Sequence, residues 1–259
     1  MDEREILTGG GVNEVVRIGA TVRRPTGPWS PLVHGLLEHL RTSGFTAAPA
    51  FHGMTGDGSE ILDFLPGEVC NYPVSEAAAS TEALEGVAEL LRSYHDHTME
   101  HLPRVPSEGW QLAAGDPVEV ICHGDYAPHN VVLDGRKAVG IIDFDTAHPG
   151  SRLEDVAYAV YRWAPITAPG NADGFGTAAE QAARVALFCD RYGLSEVDRI
   201  RLVDAVIRRL HGLVDFMTEQ AAGGNAAFAG HLAAGHHRQY LGDAAYLDAE
   251  RETFERCIR

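Results

Sequence analysis

Short apolar runs separated by turn residues dominate residues 1–66, which predicts a small β-rich lobe. The stretch EVVRIGATVRRP, residues 14–25, has β-forming runs on both sides of Ile18-Gly19-Ala20 and predicts a hairpin. Residues 59–69, SEILDFLPGEV, predict a buried strand that Pro66-Gly67 ends. Between these strands, Ser30 as N-cap, Pro31 and the stop at Gly44 predict a helix with an apolar stripe at Leu32, Leu36, Leu37 and Leu40.

Apolar positions at helical spacing dominate residues 67–259, which predicts a larger and mainly helical lobe. One helix starts at Ser80 or Thr81, and another spans Leu153–Trp163. A third is predicted over Val197–Gln220 after a capping-box-like start at Ser195. We therefore predict an α+β fold with an antiparallel β lobe at 1–66 and a helical lobe at 67–259.

The stretch ICHGDYAPHNVVLDGRKAVGIIDFD, residues 121–145, interrupts the helices with two apolar strand-like runs. The dipeptide Asp134-Gly135 predicts a two-residue hairpin turn that returns Asp143 to the neighbourhood of Asn130. Amide and carboxylate oxygens are ligands that Mg²⁺ prefers. Asp125 and Asn130 have the spacing of a kinase catalytic loop, in which the aspartate accepts the proton of a hydroxyl.

The composition of the chain limits the classes of binding partner that we expect. The net charge of −16 argues against a nucleic-acid partner and suits a cationic small molecule. The four cysteines are widely separated, and no signal peptide or membrane-length apolar run is evident, so we expect a cytoplasmic protein with no membrane partner. The single lysine, Lys137, is followed by Ala138, which excludes the Gly-Lys-Ser/Thr sequence of a P-loop.

The sequence HGDYAPHN followed by IIDFD resembles the catalytic signature of the aminoglycoside phosphotransferase and choline kinase-like superfamily, whose fold is protein-kinase-like and bilobal. The resemblance implies an O-phosphotransferase that uses ATP (or GTP) and Mg²⁺. It implies Asp125 as catalytic base, Asn130 and Asp143 as Mg²⁺ ligands, and His123 and Asp155 as structural support. It also implies a nucleotide site with a glycine-rich start and a hinge, formed by Gly10, Gly11, Asp63, Phe64 and Leu65.

The phosphate-binding cation departs from the kinase pattern, because no lysine lies in the third strand. TVRRP resembles that strand with arginine in the place of lysine. Strand alternation puts Val22 and Arg24 on one face, so we choose Arg24 and keep Arg23 as the alternative. Glu38, the sole acid on the following helix, is the predicted partner of Arg24, and His34 is the alternative.

The segment TAHPGSRLE between Asp143 and Asp155 is too short to dock a peptide, so we expect a small-molecule hydroxyl as acceptor, possibly on a cationic compound. Candidate substrate residues are Tyr158, Arg162, Trp163 and the loop 166–176. The leading hypothesis is phosphorylation of an aminoglycoside-like or other amine-bearing antibiotic, and the second is a metabolic kinase of choline, a sugar or an amino alcohol. A third is a nucleotide-binding immunity or regulatory protein without turnover, suggested by Arg24 and a looser similarity to trifolitoxin-type immunity proteins.

Overall fold

The computed structural model describes residues 4–7, 15–171 and 174–259, which form two compact units. The first unit is Met1–Asn71 with Ser75–Arg152, and the second is Tyr72–Val74 with Leu153–Arg259. This division follows packing density, so the boundary at residue 66 between a β lobe and a helical lobe stays a prediction.

An antiparallel sheet occupies the start of the first unit, and its described strands are ordered β1-β2-β3-β5-β4. The strands are β1 (Arg4–Leu7), β2 (Val15–Ile18), β3 (Thr21–Arg24), β4 (Phe51–Met54) and β5 (Glu60–Asp63). Gly19 makes the β2–β3 turn with a φ of 60°, in the left-handed region that glycine adopts readily. The predicted hairpin is therefore present, and the β3–β5 register places Arg24 opposite Glu60.

Helix α1 (Ser30–Thr42) lies between β3 and β4 in the sequence. Its buried apolar side chains are Val33, Leu36, Leu37 and Leu40, so Val33 takes the place predicted for Leu32. The N-cap is Trp29 and not Ser30, because the Ser30 hydroxyl accepts a hydrogen bond from the backbone N–H of Gly27, before the helix.

The rest of the first unit packs short strands against a long helix. Its elements are α2 (Glu76–Ala79), α3 (Thr81–Thr98), β6 (Val120–Cys122), β7 (Val131–Asp134), β8 (Lys137–Ile141) and β9 (His148–Gly150). The Ser80 hydroxyl caps α3 by accepting from the Ala83 N–H, as predicted. The β7–β8 hairpin pairs Asp134 with Lys137, so its turn residues are Gly135 and Arg136, one position later than predicted.

The second unit is helical among its described residues. It contains all of α4 (Arg152–Trp163) after Arg152, followed by α5 (Ala178–Tyr192), α6 (Glu196–Ala222), α7 (Ala226–Ala233), α8 (His236–Ala249) and α9 (Arg251–Ile258). Ser195 caps α6 as predicted, although Ile200 of the predicted stripe is exposed. Within the described ranges, no helix has the length and apolar character needed to cross a bilayer.

Candidate active site

The loop between β6 and β7, residues 123–130, is held rigidly by buried groups. The His123 ring is buried and makes a 3.0 Å hydrogen bond from Nε2 to the carbonyl of Ile142, while the Thr146 hydroxyl donates to the His123 carbonyl. The Tyr126 hydroxyl donates to the carbonyl of Val87 on α3. Gly124 has a φ of 82°, and a Cβ there would overlap the Thr146 carbonyl oxygen, so the loop requires glycine. His123 thus ties this loop to the end of β8.

Asp125 and Asn130 form the polar centre of that loop. The Asn130 amide nitrogen donates to Asp125 Oδ2 at 2.8 Å and to the Asp125 carbonyl at 2.9 Å. His129 Nε2 lies 3.3 Å from the same Oδ2. These bonds fix the orientation of the Asp125 carboxylate. Both bonds of Asn130 use its side-chain nitrogen as donor. The Asn130 Oδ1 accepts from no donor among the described residues.

Asp143 lies beside Asn130 because the β7–β8 hairpin closes there. The Ile142 N–H donates to the Asn130 carbonyl at 2.9 Å, which brings the residue before Asp143 against Asn130. Asp143 has a φ of 61°, the one described non-glycine residue in the left-handed region. A strained backbone of this kind occurs often at functional sites. Phe144 is buried against His123, with ring centroids 5.0 Å apart, and so fixes the two aspartates that flank it.

Arg24 makes three ion pairs, one with Glu60 within the sheet and two with the aspartates that follow the β7–β8 hairpin. Its Nε donates to Glu60 Oε1 at 2.5 Å, Nη1 to Asp143 Oδ1 at 2.7 Å and Nη2 to Asp145 Oδ1 at 2.5 Å. We call Arg24, Glu60, Asp143 and Asp145 the Arg24 cluster. Arg24 is buried whereas Arg23 is exposed, so the structure favours Arg24 over the alternative for any role at this site.

The Arg24 cluster carries excess negative charge, since one guanidinium faces three carboxylates. Burial opposes the charge on Arg24, but the charges of Asp143, Asp145 and Glu60 outweigh it and raise the Arg24 pKa. Burial raises the pKa of Asp145, and the Arg24 charge offsets only part of that effect. An arrangement of this kind favours a further cation near the acids.

The predicted pairing of Arg24 with Glu38 is wrong. Glu38 lies on the exposed face of α1, and its carboxylate accepts two hydrogen bonds from Arg41. Glu60 is the partner of Arg24 in place of Glu38, because the sheet register puts Glu60 directly across from Arg24. The alternative partner His34 takes part indirectly, since its Nε2 lies 2.5 Å from Glu60 Oε2.

The predicted hinge residues are partly engaged within the sheet. The Asp63 carboxylate accepts from the Ala50 N–H and lies 2.6 Å from His52 Nε2. The Phe64 N–H donates to the Ala20 carbonyl, so it is not available to a nucleotide base. Contact of Leu65 with a base stays a prediction, and Gly10 and Gly11 lie outside the described residues.

The substrate candidates lie in the second unit with different degrees of burial. Tyr158 and Trp163 are buried, so neither presents surface to a ligand in this structure. Arg162, together with Tyr72, Tyr161 and Asp243, lines a cavity of about 20 Å³. This cavity has room for about one water molecule. Asp155 is buried on α4, and its role as a brace of the catalytic loop stays a prediction.

Two members of the Arg24 cluster escaped the sequence-based reasoning. Asp145 follows Asp143 by two positions in IIDFD. This second aspartate in the motif could have been recognised from the sequence as a candidate site residue. Glu60 is a charged residue in a strand predicted to be buried, which called for a cationic partner. Its pairing with Arg24 depends on the β3–β5 register, which no local pattern reveals.

The donor set fits a Mg²⁺ ion on a phosphate. The Asp143 carboxylate, with 48% of its side chain exposed, and Asn130 Oδ1 are hard oxygen donors at one end of the hairpin. The described residues form no group of three or more histidines, cysteines and acids around a metal position. Two protein ligands suit Mg²⁺, which usually keeps waters and phosphate oxygens as its other ligands.

This fold, with Asp125 and Asn130 on a rigid loop and Asp143 after the following hairpin, is that of the protein-kinase-like phosphotransferases. Residues 100–188 match the model of the family described as "Phosphotransferase enzyme family". The chain is 36% identical over 214 residues to the "Trifolitoxin immunity protein" of Rhizobium leguminosarum bv. trifolii, covering 80% of each chain. The chain therefore belongs to the phosphotransferase enzyme family, and the predicted superfamily and enzyme class are confirmed.

Solved structures agree with the fold. A choline/ethanolamine kinase family protein from Mesorhizobium loti is similar with a TM-score of 0.62 at 16% identity, over 99% of this chain and 92% of that chain. The streptomycin–ATP–APH(2")-IIa ternary complex is similar with a TM-score of 0.57 at 15% identity, over 88% of this chain and 91% of that chain. At these identities the similarity concerns the fold alone, and it confirms the predicted α+β, protein-kinase-like architecture.

Proposed function

We propose that this protein transfers the γ-phosphoryl group of a Mg²⁺-bound nucleoside triphosphate to a hydroxyl group of an aminoglycoside-like or other amine-bearing antibiotic. The observation that carries the phosphotransfer is the connection of Asp125, Asn130 and Asp143 through one loop and one hairpin, with the Asn130 amide 2.8 Å from the Asp125 carboxylate. Phosphoryl transfer needs mainly positioning and charge neutralisation, and these groups are suited to both.

Asp125 is the catalytic base in this proposal. Its carboxylate is fixed by the Asn130 amide and approached by His129, so it has one orientation in which to accept the hydroxyl proton. The exposed part of its side chain would meet the acceptor hydroxyl. Asp143 and Asn130 Oδ1 would hold Mg²⁺, which supplies charge neutralisation on the phosphate oxygens.

Arg24 takes the role of the lysine in protein kinases. A guanidinium has five N–H donors, and three of those of Arg24 are used by the Arg24 cluster. The remaining donors on the two terminal nitrogens would bind phosphate oxygens, for which arginine has a suitable geometry. Either ATP or GTP satisfies this role, because the contact is with phosphates and not with the base.

Three observations support an antibiotic acceptor. The relative at 36% identity is named for immunity to trifolitoxin, and one structural neighbour is a complex of streptomycin and ATP. The net charge of −16 favours the approach of a cationic amine. The similarity to a choline/ethanolamine kinase family protein keeps small amino alcohols as the alternative substrate class.

A second candidate function is immunity by binding without turnover. It is favoured by the engagement of Arg24 with three carboxylates, which compete with phosphate for its donors, and by the immunity protein among the relatives. Both candidates use the same fold, so catalysis has to be measured directly.

The deciding experiment incubates the protein with Mg²⁺, ATP or GTP, and a panel of aminoglycosides, other amine-bearing antibiotics, choline and ethanolamine. Mass spectrometry then looks for products heavier by one phosphoryl group. We expect a phosphorylated antibiotic with the native protein, and formation of this product at least about 100-fold more slowly with Asp125→Asn. Phosphorylation of choline or ethanolamine alone would select the metabolic alternative. Protection of a host cell that persists with Asp125→Asn would establish binding without turnover.

A further inference from the structure

Glu60 is a buried carboxylate that the mechanism above does not use. It lies in β5 with 1% of its side chain exposed, and both of its oxygens have a partner. Oε1 accepts from Arg24 Nε at 2.5 Å, and Oε2 lies 2.5 Å from His34 Nε2. A carboxylate this deeply buried needs such partners, because burial removes its hydration.

The two partners of Glu60 are themselves held in place. Arg24 and Glu60 are cross-strand neighbours in the β3–β5 pair, so the sheet register fixes their separation. The His34 ring stacks on Phe51 of β4 with centroids 3.7 Å apart and an interplanar angle of 10°. Helix α1 and two strands thus fix Glu60, and through it the Nε side of the Arg24 guanidinium.

The opposite side of the same guanidinium is bound by acids that are less buried than Glu60. Asp143 and Asp145, which accept from the terminal nitrogens, have 48% and 18% of their side chains exposed. Ion pairs near solvent are worth less and exchange more readily than a buried pair whose partners have no water to replace them. We therefore expect the Glu60 contact to persist when the two aspartate contacts exchange for other acceptors.

We propose that Glu60, held by His34, is the positioning residue that fixes Arg24 through Nε and leaves its terminal nitrogens free to pass from Asp143 and Asp145 to nucleotide phosphates. This inference rests on the proposed nucleotide-dependent function. A strand residue here does the work that a helix glutamate does in protein kinases. Because Arg24 and Glu60 lie on adjacent strands, a movement of α1 alone does not separate them.

The test compares Glu60→Gln with Glu38→Gln, which removes the same charge from an exposed residue on α1 that is paired with Arg41. Dissociation constants for ATP with Mg²⁺, and for adenosine, are measured by competition with a fluorescent nucleotide. We expect Glu60→Gln to bind ATP about tenfold more weakly, the size expected for loss of a hydrogen bond between charged groups. Adenosine binding and both constants of Glu38→Gln should stay within about twofold of the native values.

The sign of the effect separates positioning from simple electrostatics. If Glu60 were only a negative charge near the phosphates, its neutralisation would tighten ATP binding, and this result would overturn the inference. An equal loss for ATP and adenosine would also overturn it, because it would indicate general damage to the lobe. Native protein that binds no nucleotide would refute the proposed function itself, whatever Glu60→Gln does.

A second variant keeps the inference testable if Glu60→Gln does not fold. His34→Gln removes the imidazole that orients Glu60 and leaves the Arg24–Glu60 pair intact. We expect about threefold weaker ATP binding, in keeping with loss of one hydrogen bond. Unchanged ATP binding in a folded His34→Gln protein would overturn the inference as stated, because the support of Glu60 by His34 would then have no effect on phosphate binding.

Discussion

Both compact units contain buried acids, and Asp243 of the second unit has surroundings different from those of the acids in the Arg24 cluster. In the second unit, Asp243 is 4% exposed and accepts from the Tyr161 hydroxyl at 2.8 Å and the Thr167 hydroxyl at 2.5 Å. In the first unit, three acids share the single guanidinium of Arg24, and Asp143 remains half exposed with a left-handed backbone. Asp243 is satisfied within its own unit, whereas the Arg24 cluster has more negative charge than its cation neutralises.

The difference is the one expected between a structural acid and the acids of the proposed active site. Asp243 connects α8 with α4 and with the loop 166–176, and Gln181 on α5 extends the contact by donating to the Thr167 carbonyl. Its hydrogen bonds therefore hold the second unit together. In the proposed function, Asp143 would bind Mg²⁺, and nucleotide phosphates would replace Asp143 and Asp145 as acceptors for the terminal nitrogens of Arg24. We expect substitutions at the acids of the Arg24 cluster to affect activity and substitutions at Asp243 to affect stability.

The largest expected effect is that of the substitution Asp125→Asn on catalysis. Loss of the general base should lower the rate of phosphoryl transfer by about 10²–10⁴-fold. The amide keeps an oxygen that can accept from Asn130, so the free energy of unfolding should change by less than about 1 kcal/mol. Single-turnover rates and urea unfolding measure the two quantities. A stability loss that accounts for the lost activity would contradict the assignment of Asp125 to function.

The second largest effect is that of the substitution Asp243→Ala on the stability of the protein. The substitution leaves the hydroxyl groups of Tyr161 and Thr167 without their acceptor, and we expect a loss of about 2–3 kcal/mol in the free energy of unfolding. Asp248→Ala, on the same helix but exposed and paired with Arg251, is the matched control and should cost less than about 0.5 kcal/mol. Equal effects of the two variants in urea unfolding would contradict the structural role of Asp243.

The third effect is the pH dependence of stability. Burial raises the pKa of Asp243, although hydrogen bonds from Thr167 and Tyr161 offset part of that rise. The folded chain therefore binds this proton more tightly than the unfolded chain, whose aspartate pKa is about 3.9. Stability from this group is present below the unfolded pKa and is lost as the pH rises through the raised folded pKa.

Asp243→Asn removes that titration. The unfolding free energy of the native protein should therefore fall relative to that of the variant as the pH rises above about 4. Urea unfolding at several pH values measures the difference. A native protein that gains stability relative to the variant over this range would show that the pKa of Asp243 is lowered and not raised.

The smallest effect is expected from Lys137→Gln. Lys137 is exposed at the start of β8 and is the only lysine of the chain, so it is the sole candidate for a kinase-type phosphate lysine. If Arg24 has that role, the variant should keep its ATP affinity within about twofold and its stability within about 0.5 kcal/mol. A large loss of ATP affinity would return the phosphate-binding role to Lys137.

Local patterns in the chain were sufficient for most of the architecture. The β2–β3 hairpin, α3 with its Ser80 cap and α6 with its Ser195 cap lie where the sequence places them, because turns and caps depend on neighbouring residues. The errors at Ser30 and at the Asp134-Gly135 turn are each one residue, which is the range over which alternative local hydrogen bonds compete.

The sequence by itself also determined the chemical groups of the candidate site. The spacing of Asp125 and Asn130, and the hairpin that returns to Asp143, are properties of one continuous stretch of chain. Substitution of arginine for lysine in β3 was equally readable, since the chain has only one lysine. Side-chain alternation distinguished Arg24 from Arg23, because adjacent residues of a strand face opposite sides of the sheet.

Only the tertiary structure decided which groups surround Arg24. Glu38 was the nearest acid along the chain in the following helix, but Arg41 one turn later on the same helix binds it. Glu60 and Asp145 reach Arg24 through a strand register and a distant hairpin, across 36 and 121 residues of sequence. Such contacts depend on how separate elements pack, and the pattern within a single element carries no information about them.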